Sequence, residues 1–194
     1  DNLVTIPQMR ITKALSALKH HAPEVTINIR MMPPNEIETA ILDGHLHFGV
    51  VANLRTLPGL HYQALYKEKS LLYCSDQHPL FNQEVDQISD NSLSRYDAVI
   101  PNYPQSVEIK RQQKILKATA TSTDREGIAF LILTGRFIGF LPTHFAERWT
   151  SQDKMRPIEA HNRSFDTLFS AITRKGARSN LILEAYLEKL NLTQ

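Results

Sequence analysis

Residues 121–149, TSTDREGIAFLILTGRFIGFLPTHFAERW, constrain the fold more than any other part of the chain. Thr123 and Glu126 have the spacing of a capping box, which predicts that a helix begins here. Apolar residues then recur at helical spacing until Gly135, which can close the helix in a left-handed conformation without a Cβ clash. The apolar run 137–141 predicts a buried strand, and a second helix follows it. Helices and strands in such close alternation indicate an α/β fold.

The composition limits the classes of protein that need to be considered. A chain of 194 residues can form one domain or two small ones with a sizeable core. Its 42% hydrophobic and 22% charged residues are typical of a soluble globular protein, and its formal charge of +2 does not indicate a nucleic-acid surface. The single cysteine, Cys74, excludes an intramolecular disulfide and fits a reducing compartment. No apolar run approaches the length of a membrane span, so no membrane partner is predicted.

The first part of the chain predicts a parallel βαβαβ unit. Residues 1–4, 25–31 and 46–51 are predicted strands, the second because apolar and polar residues alternate along it. Helices are expected between them, beginning at the capping residues Thr5 and Asn35. Strands and helices in this order indicate a parallel sheet with helices across its faces.

The candidate binding residues follow from that architecture, because ligands of parallel sheets lie beyond the carboxyl ends of the strands. The helix caps Thr5, Asn35 and Thr123 would expose backbone amides there, and their partial positive charge suits a small anion. The alternative is that these residues only cap their helices. Residues at strand ends or helix starts facing the expected crevice complete the candidate ligand-binding set: Asn2, Thr5, Asn35, Asn53, Pro101, Asn102, Thr121, Ser122 and Thr123.

The rest of the chain continues the α/β pattern. Further strands are predicted at 71–74, 96–100, 117–121, 155–158 and 165–173, and helices at 106–117 and from Ser179 onward. We expect two lobes, the first formed by residues 1–75 with 167–194 and the second by residues 76–166.

The segment from Gly135 to Pro142 resembles a signature of the ligand-sensing domains of LysR-type transcriptional regulators, a helix followed by G-x-G-I-A-x-L-P. Phe137 and Gly139 depart from it, since the family has a second glycine at the first position and a small residue at the second. Further family landmarks resembled here, in order, are P-x-V-x-L at 23–27, L-x-x-G-x-L-D at 42–47 with His47 in place of Asp, G-L-x-x-x-x-L at 59–65 and H-P-L at 78–80. They extend the resemblance over nearly the whole chain.

The resemblance implies a periplasmic-binding-protein-like fold of type II, with two α/β lobes joined by two crossing strands. It implies a cytoplasmic effector-binding domain that binds a small metabolite between the lobes and is neither an enzyme nor dependent on a cofactor. The helix-cap amides described above indicate that this metabolite is anionic. DNA would be bound only through an N-terminal winged helix-turn-helix outside these residues. The family pairs its sensing domains as homodimers, with tetramers in the full-length protein. The alternative is a solute-binding protein of a transport system, and the residues encoded before Asp1 would distinguish the two.

The predicted helix 6–21 supports dimerisation, because it carries apolar residues on more than one face, Met9 and Ala17 among them. Apolar surface of this kind needs a cover, and a two-fold symmetric dimer is the commonest solution. We also expect the natural chain to continue upstream, because the sheet requires a strand before the Thr5 helix and residues 1–4 supply only its end.

Other polar groups have simpler explanations than a functional site. His45 and His47 lie on one side of a strand, but no further ligands accompany them and no metal site is predicted. Cys74 lies in an apolar run without a nearby base, which favours a core thiol over a nucleophile. A basic stripe on the helix at 106–117 fits a solvated face better than a phosphate-binding surface; its members are Lys110, Arg111, Lys114 and Lys117.

Overall fold

The computed structural model describes residues 10–84, 88–158, 163–178 and 180–192. The helices are α1 (Arg10–His21), α2 (Pro34–Leu42), α3 (Asp90–Leu93), α4 (Val107–Gln113), α5 (Arg125–Leu133), α6 (Thr143–Thr150) and α7 (Leu181–Leu192), with a 3-10 turn at Pro79–Asn82. The strands are β1 (Gly49–Ala52), β2 (Leu60–Ser75), β3 (Asp97–Pro101), β4 (Lys117–Ser122), β5 (Phe137–Pro142), β6 (Met155–Pro157) and β7 (Ser164–Arg174). The predicted strand at 1–4 and the start of the first helix lie outside the described residues.

Contacts along the chain divide it into two units. The terminal unit comprises Asp1–Val51, Thr56–Ala64 and Ser170–Gln194, and the central unit comprises Ala52–Arg55 and Leu65–Phe169. Strands β2 and β7 each begin in one unit and end in the other. The functional lobes proposed from the sequence, 1–75 with 167–194 and 76–166, stay a prediction.

The sheet of the central unit places its strands in the order β2, β5, β3, β4. β3 is parallel to both β4 and β5, whereas β2 is antiparallel to β5 with Ser70 opposite Pro142 and Tyr73 opposite Gly139. β6 pairs with β2, opposite residues Tyr73, Cys74 and Ser75. The parallel strands therefore end on the same edge of the sheet, where residues that follow β3 and β4 lie side by side.

Both faces of this sheet are covered, because β2 is buried at every position from Ser70 to Ser75. Leu72 and Cys74 pack into one apolar cluster, and Leu71 and Tyr73 pack into another together with α5 and α6. A strand covered on both faces carries a continuous apolar run instead of an alternating one. Each fully buried leucine of such a run stabilises the fold by about 1.5–3 kcal/mol.

Gly139 of β5 explains how closely α5 can approach the sheet. A Cβ at this position would lie 2.8 Å from Val99 Cγ1 and 3.2 Å from Ile132 Cδ1. The predicted strand and helix on either side of Gly135 are both present, and Gly135 has the expected left-handed conformation with φ of 75°. The helix–turn–strand–helix prediction for residues 121–149 is therefore confirmed.

The terminal unit contains a buried apolar cluster formed by Ile41, Val51, Leu60 and Ile172. These residues come from α2, β1, β2 and β7, and β7 lies between β1 and β2 in the order of hydrogen-bonded strands. The helices α1 and α7 pack against each other. α2 ends at Leu42, and Gly44 follows it with a φ of 78°.

The predicted strand at 25–31 is not present, so the βαβαβ prediction is wrong at this segment. Its apolar side chains are exposed instead of covered: Ile27 is 36% accessible, Ile29 71% and Met31 74%. Thr26, Asn28 and Arg30 are exposed as well, and nothing in the described part of the chain packs over this segment. The strand predicted at 46–51 is also shorter, and begins only at Gly49.

Candidate functional site

The carboxyl ends of β3 and β4 bring together most of the residues predicted to bind ligand. Ser122 pairs with Pro101, and Thr121 pairs with Ile100. The backbone N–H of Asn102 donates to the carbonyl oxygen of Ser122 at 2.7 Å. Pro101, Asn102, Thr121, Ser122 and the adjoining Thr123 therefore form one continuous edge, and Asn102, Thr121 and Thr123 are exposed along it.

The helix after this edge is capped by Asp124, so the predicted capping role of Thr123 is wrong. Asp124 Oδ1 accepts the N–H of Gly127 at 2.7 Å, and Ser122 Oγ donates to the carbonyl oxygen of Asp124 at 2.9 Å. Asp124 is the better cap because its carboxylate adds a favourable charge to the hydrogen bond at a helix N-terminus. Arg125 then becomes the first residue of α5.

The other predicted residues lie elsewhere. Asn35 is an exposed residue inside α2, whose N-cap is Pro33 with no side-chain hydrogen bond, so its predicted capping role is also wrong. A proline at the N-cap and Pro34 as first helical residue fix the extended entry without a polar cap. Asn53 is half-buried in the central unit, and its N–H donates to the carbonyl oxygen of Leu168 at 2.7 Å. Asn2 and Thr5 lie outside the described residues.

A buried ion pair that the sequence prediction missed occupies the central unit. Glu68 of β2 is only 3% exposed. Arg125 holds it with two hydrogen bonds, Nη1 to Oε2 at 3.2 Å and Nη2 to Oε1 at 2.5 Å. His144 of α6 places Nε2 3.5 Å from Glu68 Oε2. A guanidinium that grips both oxygens of one carboxylate fixes the orientation of both groups.

Aromatic residues surround this pair, and we call the whole set the Glu68–Arg125 cluster: Tyr66, Glu68, Tyr103, Asp124, Arg125, His144 and Phe169. Tyr66 and Phe169 stack with their ring centroids 5.1 Å apart and their planes 12° from parallel. The guanidinium of Arg125 lies 5.7 Å from the centroid of Phe169. The buried phenol oxygen of Tyr66 has no hydrogen-bond partner among the described residues.

Burial and charge set the protonation of these groups. Burial raises the pKa of the Glu68 carboxyl, and the charge and hydrogen bonds of Arg125 oppose that rise. Burial also raises the pKa of Tyr66, and the nearby Glu68 charge adds to the increase. Burial raises the pKa of Tyr103 as well, although its hydrogen bond with Arg125 counteracts part of the effect. Both phenols are therefore neutral hydrogen-bonding groups near pH 7.

The first turn of α6 adjoins the cluster through the register of the sheet. Pro142 is the N-cap of α6 and lies opposite Ser70, two positions along β2 from Glu68. No side chain caps this helix. Its N-terminal amides therefore keep a partial positive charge that a side-chain oxygen does not neutralise.

One sequence signal could have found Glu68. From 66 to 70, strand β2 alternates between exposed Lys67 and Lys69 and the more buried Tyr66, Glu68 and Ser70. An acidic residue on the buried side of an alternating strand needs a partner, since an isolated buried charge is costly. The identity of that partner could not be deduced, because Arg125 is 57 residues away along the chain.

Other polar groups have structural roles. The thiol of Cys74 is free and buried, as predicted, and burial raises its pKa to about 11. In the basic stripe, Lys117 pairs with Asp97 at 2.8 Å, while Lys110, Arg111 and Lys114 are exposed. The parts of the chain that the structure describes contain no group of three or more metal-binding side chains suitably placed for an ion. No helix within those same parts has the length and hydrophobicity of a membrane span.

Comparison with known proteins identifies the family. Residues 3–191 match the family described as LysR substrate binding domain. The HTH-type transcriptional activator BauR of Pseudomonas aeruginosa is 48% identical over 188 residues, an alignment that covers 97% of this chain and 62% of BauR. The chain thus spans about three fifths of that relative's length, and the match does not favour a solute-binding transport protein.

Solved structures share the fold. The regulatory domain of CcmR from Synechocystis PCC6803, in complex with 2-PG, has a TM-score of 0.77 at 12% identity, covering 95% of this chain and 91% of CcmR. The effector binding domain of QuiR, in complex with shikimate, also has a TM-score of 0.77, at 10% identity, covering 93% of this chain and 88% of QuiR. The expected type II periplasmic-binding-protein-like fold is therefore confirmed. This chain belongs to the LysR substrate-binding domain family of transcriptional regulators.

Proposed function

We propose that this domain binds a small polar effector and thereby controls DNA binding by a longer cytoplasmic regulator. The observation that carries the proposal is the 48% identity with a helix-turn-helix transcriptional activator over nearly the whole chain. DNA would be bound by a winged helix-turn-helix outside these residues, and the domain itself would neither catalyse a reaction nor require a cofactor. The effector would act by binding one conformation of the regulator more tightly than another.

The effector site we propose combines the strand-end edge with the Glu68–Arg125 cluster. Thr123 and Asp124 connect the two directly, because the edge leads into α5 and Arg125 is the first residue of that helix. The edge offers exposed polar groups, and the cluster offers a buried charge pair with two phenols. A few fixed polar groups beside aromatic rings are typical of small-molecule sites. Asn2, Thr5, Asn35 and Asn53 stay predicted members of the site.

The test is a metabolite screen followed by a DNA-binding assay. Purified domain is heated with a broad metabolite panel, and we expect at least one compound to raise the melting temperature by mass action. The same compound should then change the affinity or footprint of the full-length regulator on DNA upstream of its own gene. A panel with no stabilising compound, together with DNA binding that no compound alters, would contradict the proposed function.

We further propose that the domain forms a two-fold homodimer, and that the full-length protein is a tetramer. The exposed apolar face of residues 25–31 supports this, because Ile29 and Met31 are each more than two-thirds accessible, at 71% and 74%. Exposed apolar residues that alternate along one segment mark a surface that associates. A second copy would cover this face without any other partner.

The double substitution Ile29→Asp and Met31→Asp tests the dimer. We expect it to convert a dimer into a monomer in analytical ultracentrifugation at micromolar concentration, because buried carboxylates are strongly disfavoured in an apolar interface. Phe130→Asp is the matched control, since Phe130 is 69% exposed but lies on α5. A wild-type domain that sediments only as a monomer would disprove the dimer proposal.

A further inference from the structure

We propose that the effector carries both an ammonium and a carboxylate group, and that Glu68 binds the ammonium while Arg125 binds the carboxylate. The inference rests on the proposed function and narrows the small anion expected from the sequence to an amino acid or a close analogue. Its basis is the charge balance of the Glu68–Arg125 cluster, in which a buried acidic group and a basic group are in direct contact.

The Glu68 carboxylate would repel a purely anionic ligand at any position from which that ligand could contact Arg125. The two hydrogen bonds between these side chains span 2.5 and 3.2 Å, so the carboxylate oxygens lie at the guanidinium itself. Both oxygens of Glu68 accept, which is the pattern of the ionised carboxylate. Since Glu68 is 3% exposed, little solvent screens its repulsion of an anion. An ammonium on the ligand turns that repulsion into an attraction.

An acidic side chain already occupies part of the N-terminus of α5. The carboxylate of Asp124 already accepts the Gly127 N–H at 2.7 Å. Asp124 is exposed and directly precedes Arg125 in the chain, so the cluster contains two acidic groups and one basic group, with His144 close to Glu68. This balance favours a ligand that is not purely anionic.

Both charged side chains retain capacity for further hydrogen bonds. A guanidinium has five N–H donors, and a carboxylate has about four lone-pair positions. Arg125 gives two donors to Glu68 and also hydrogen-bonds Tyr103, so only its remaining donors are available to a ligand carboxylate. The first turn of α6, which no side chain caps, adds positive partial charge nearby.

The aromatic residues suit the ammonium end. The faces of Tyr66 and Phe169 attract cations through their ring quadrupoles, and Arg125 already lies 5.7 Å from the Phe169 centroid. The phenol oxygen of Tyr66, which has no hydrogen-bond partner among the described residues, is available to accept from an ammonium. Because Glu68 and Arg125 touch, the two charges of the ligand should be separated by a short spacer.

Calorimetry with matched ligands tests the inference on the intact domain. The probes are the common α-amino acids and the unbranched ω-amino acids from glycine to 6-aminohexanoate, each ω-amino acid compared with the carboxylic acid and the amine of equal length. We expect at least one amino acid to bind, and its matched acid and amine to bind about tenfold or more weakly, since a charged hydrogen bond contributes on that scale. An acid that binds as tightly as the amino acid overturns the inference, as does a complete lack of binding.

Glu68→Gln separates recognition from folding, because it preserves the shape of the side chain and removes its charge. We expect the affinity for the amino acid to fall by about tenfold or more, and the affinity for the matched acid to stay equal or rise. If Glu68 had only a structural role, the substitution would lower the affinities for the amino acid and for the matched acid by the same factor. Glu147→Gln is the control, since Glu147 is exposed on α6 and should leave both affinities unchanged. If Glu68→Gln does not fold, the ligand series on the wild-type domain decides alone.

The outcomes separate this inference from the proposed function. A purely anionic or uncharged metabolite that stabilises the domain and alters DNA binding would leave the proposed function intact and refute the amino-acid ligand. Failure of every metabolite to stabilise the domain or alter DNA binding would refute both.

Discussion

Residues 25–31 and 70–75 differ in whether the chain covers their apolar side chains. Both include regions predicted as strands from their apolar content, but only 70–75 joins a sheet, where every position is buried. In 25–31 the side chains of Ile29 and Met31 are 71% and 74% accessible. The difference lies in their neighbours: β5 and β6 pair with 70–75 along its length, whereas no described strand pairs with 25–31.

This comparison shows what an apolar pattern measures. It identifies side chains that lower the free energy when they leave water, regardless of what covers them. Within the central unit the cover comes from the same chain. For 25–31 a second copy of the domain is the cover we propose. The apolar residues of this segment would then stabilise the dimer and not the fold of the single chain.

The largest expected effect contrasts one residue from each segment. Leu72→Ala should lower the free energy of unfolding by about 3 kcal/mol, because Leu72 is 0% exposed and its loss leaves a cavity between two packed layers. Ile29→Ala should change it by less than about 0.5 kcal/mol in the monomer. Urea denaturation, at protein concentrations too low for the dimer to form, measures both changes in the free energy of unfolding. Similar losses for the two variants would show that 25–31 is covered within one chain.

Histidines give a second contrast, because His78 is 3% exposed in the central unit and His47 is exposed in the terminal unit. Neutral His78 accepts the Leu80 N–H at Nδ1 over 3.2 Å, and its ring centroid lies 4.8 Å from that of Tyr96. Burial lowers the pKa of His78 from 6.5 to about 4. The unfolded chain therefore takes up this proton first as the pH falls, and the folded state is penalised.

We expect up to about 3 kcal/mol of stability, present above pH 6.5, to be lost as the pH falls from 6.5 to about 4. Urea denaturation at steps across this range measures the loss. His78→Gln should flatten the pH dependence over this interval. A wild-type slope that His78→Gln does not alter would assign the acid sensitivity to other groups.

The smallest expected effect compares helix starts in the two units. Asp124→Ala should lower the free energy of unfolding by about 1 kcal/mol, because it removes the oxygen that accepts the Gly127 N–H at the start of α5. Asn35→Ala and Thr123→Ala should each change it by less than about 0.5 kcal/mol, since neither side chain caps its helix. Thermal denaturation ranks the three variants by their loss of stability. A greater loss for Thr123→Ala than for Asp124→Ala would support the helix cap predicted from the sequence.

Much of the central unit could be predicted from local signals. The helix before Gly135, the strand after it and the edge formed by residues following β3 and β4 all follow from periodicity, turn residues and parallel topology. The capping errors have a local cause as well. Thr123 and Asp124 are both acceptable caps, and the choice depends on which side-chain oxygen the backbone after β4 brings within reach of an amide in the first turn of α5.

The sequence by itself determined the order of helices and strands in the central unit, the left-handed turn at Gly135 and the membership of the family. Only the tertiary structure decided that Glu68 and Arg125 form a pair, because sheet register and helix packing bring together residues that are 57 positions apart. It likewise decided which apolar segment is covered. Periodicity and capping act over a few residues, whereas burial and ion pairing depend on neighbours that the chain supplies only after it has folded.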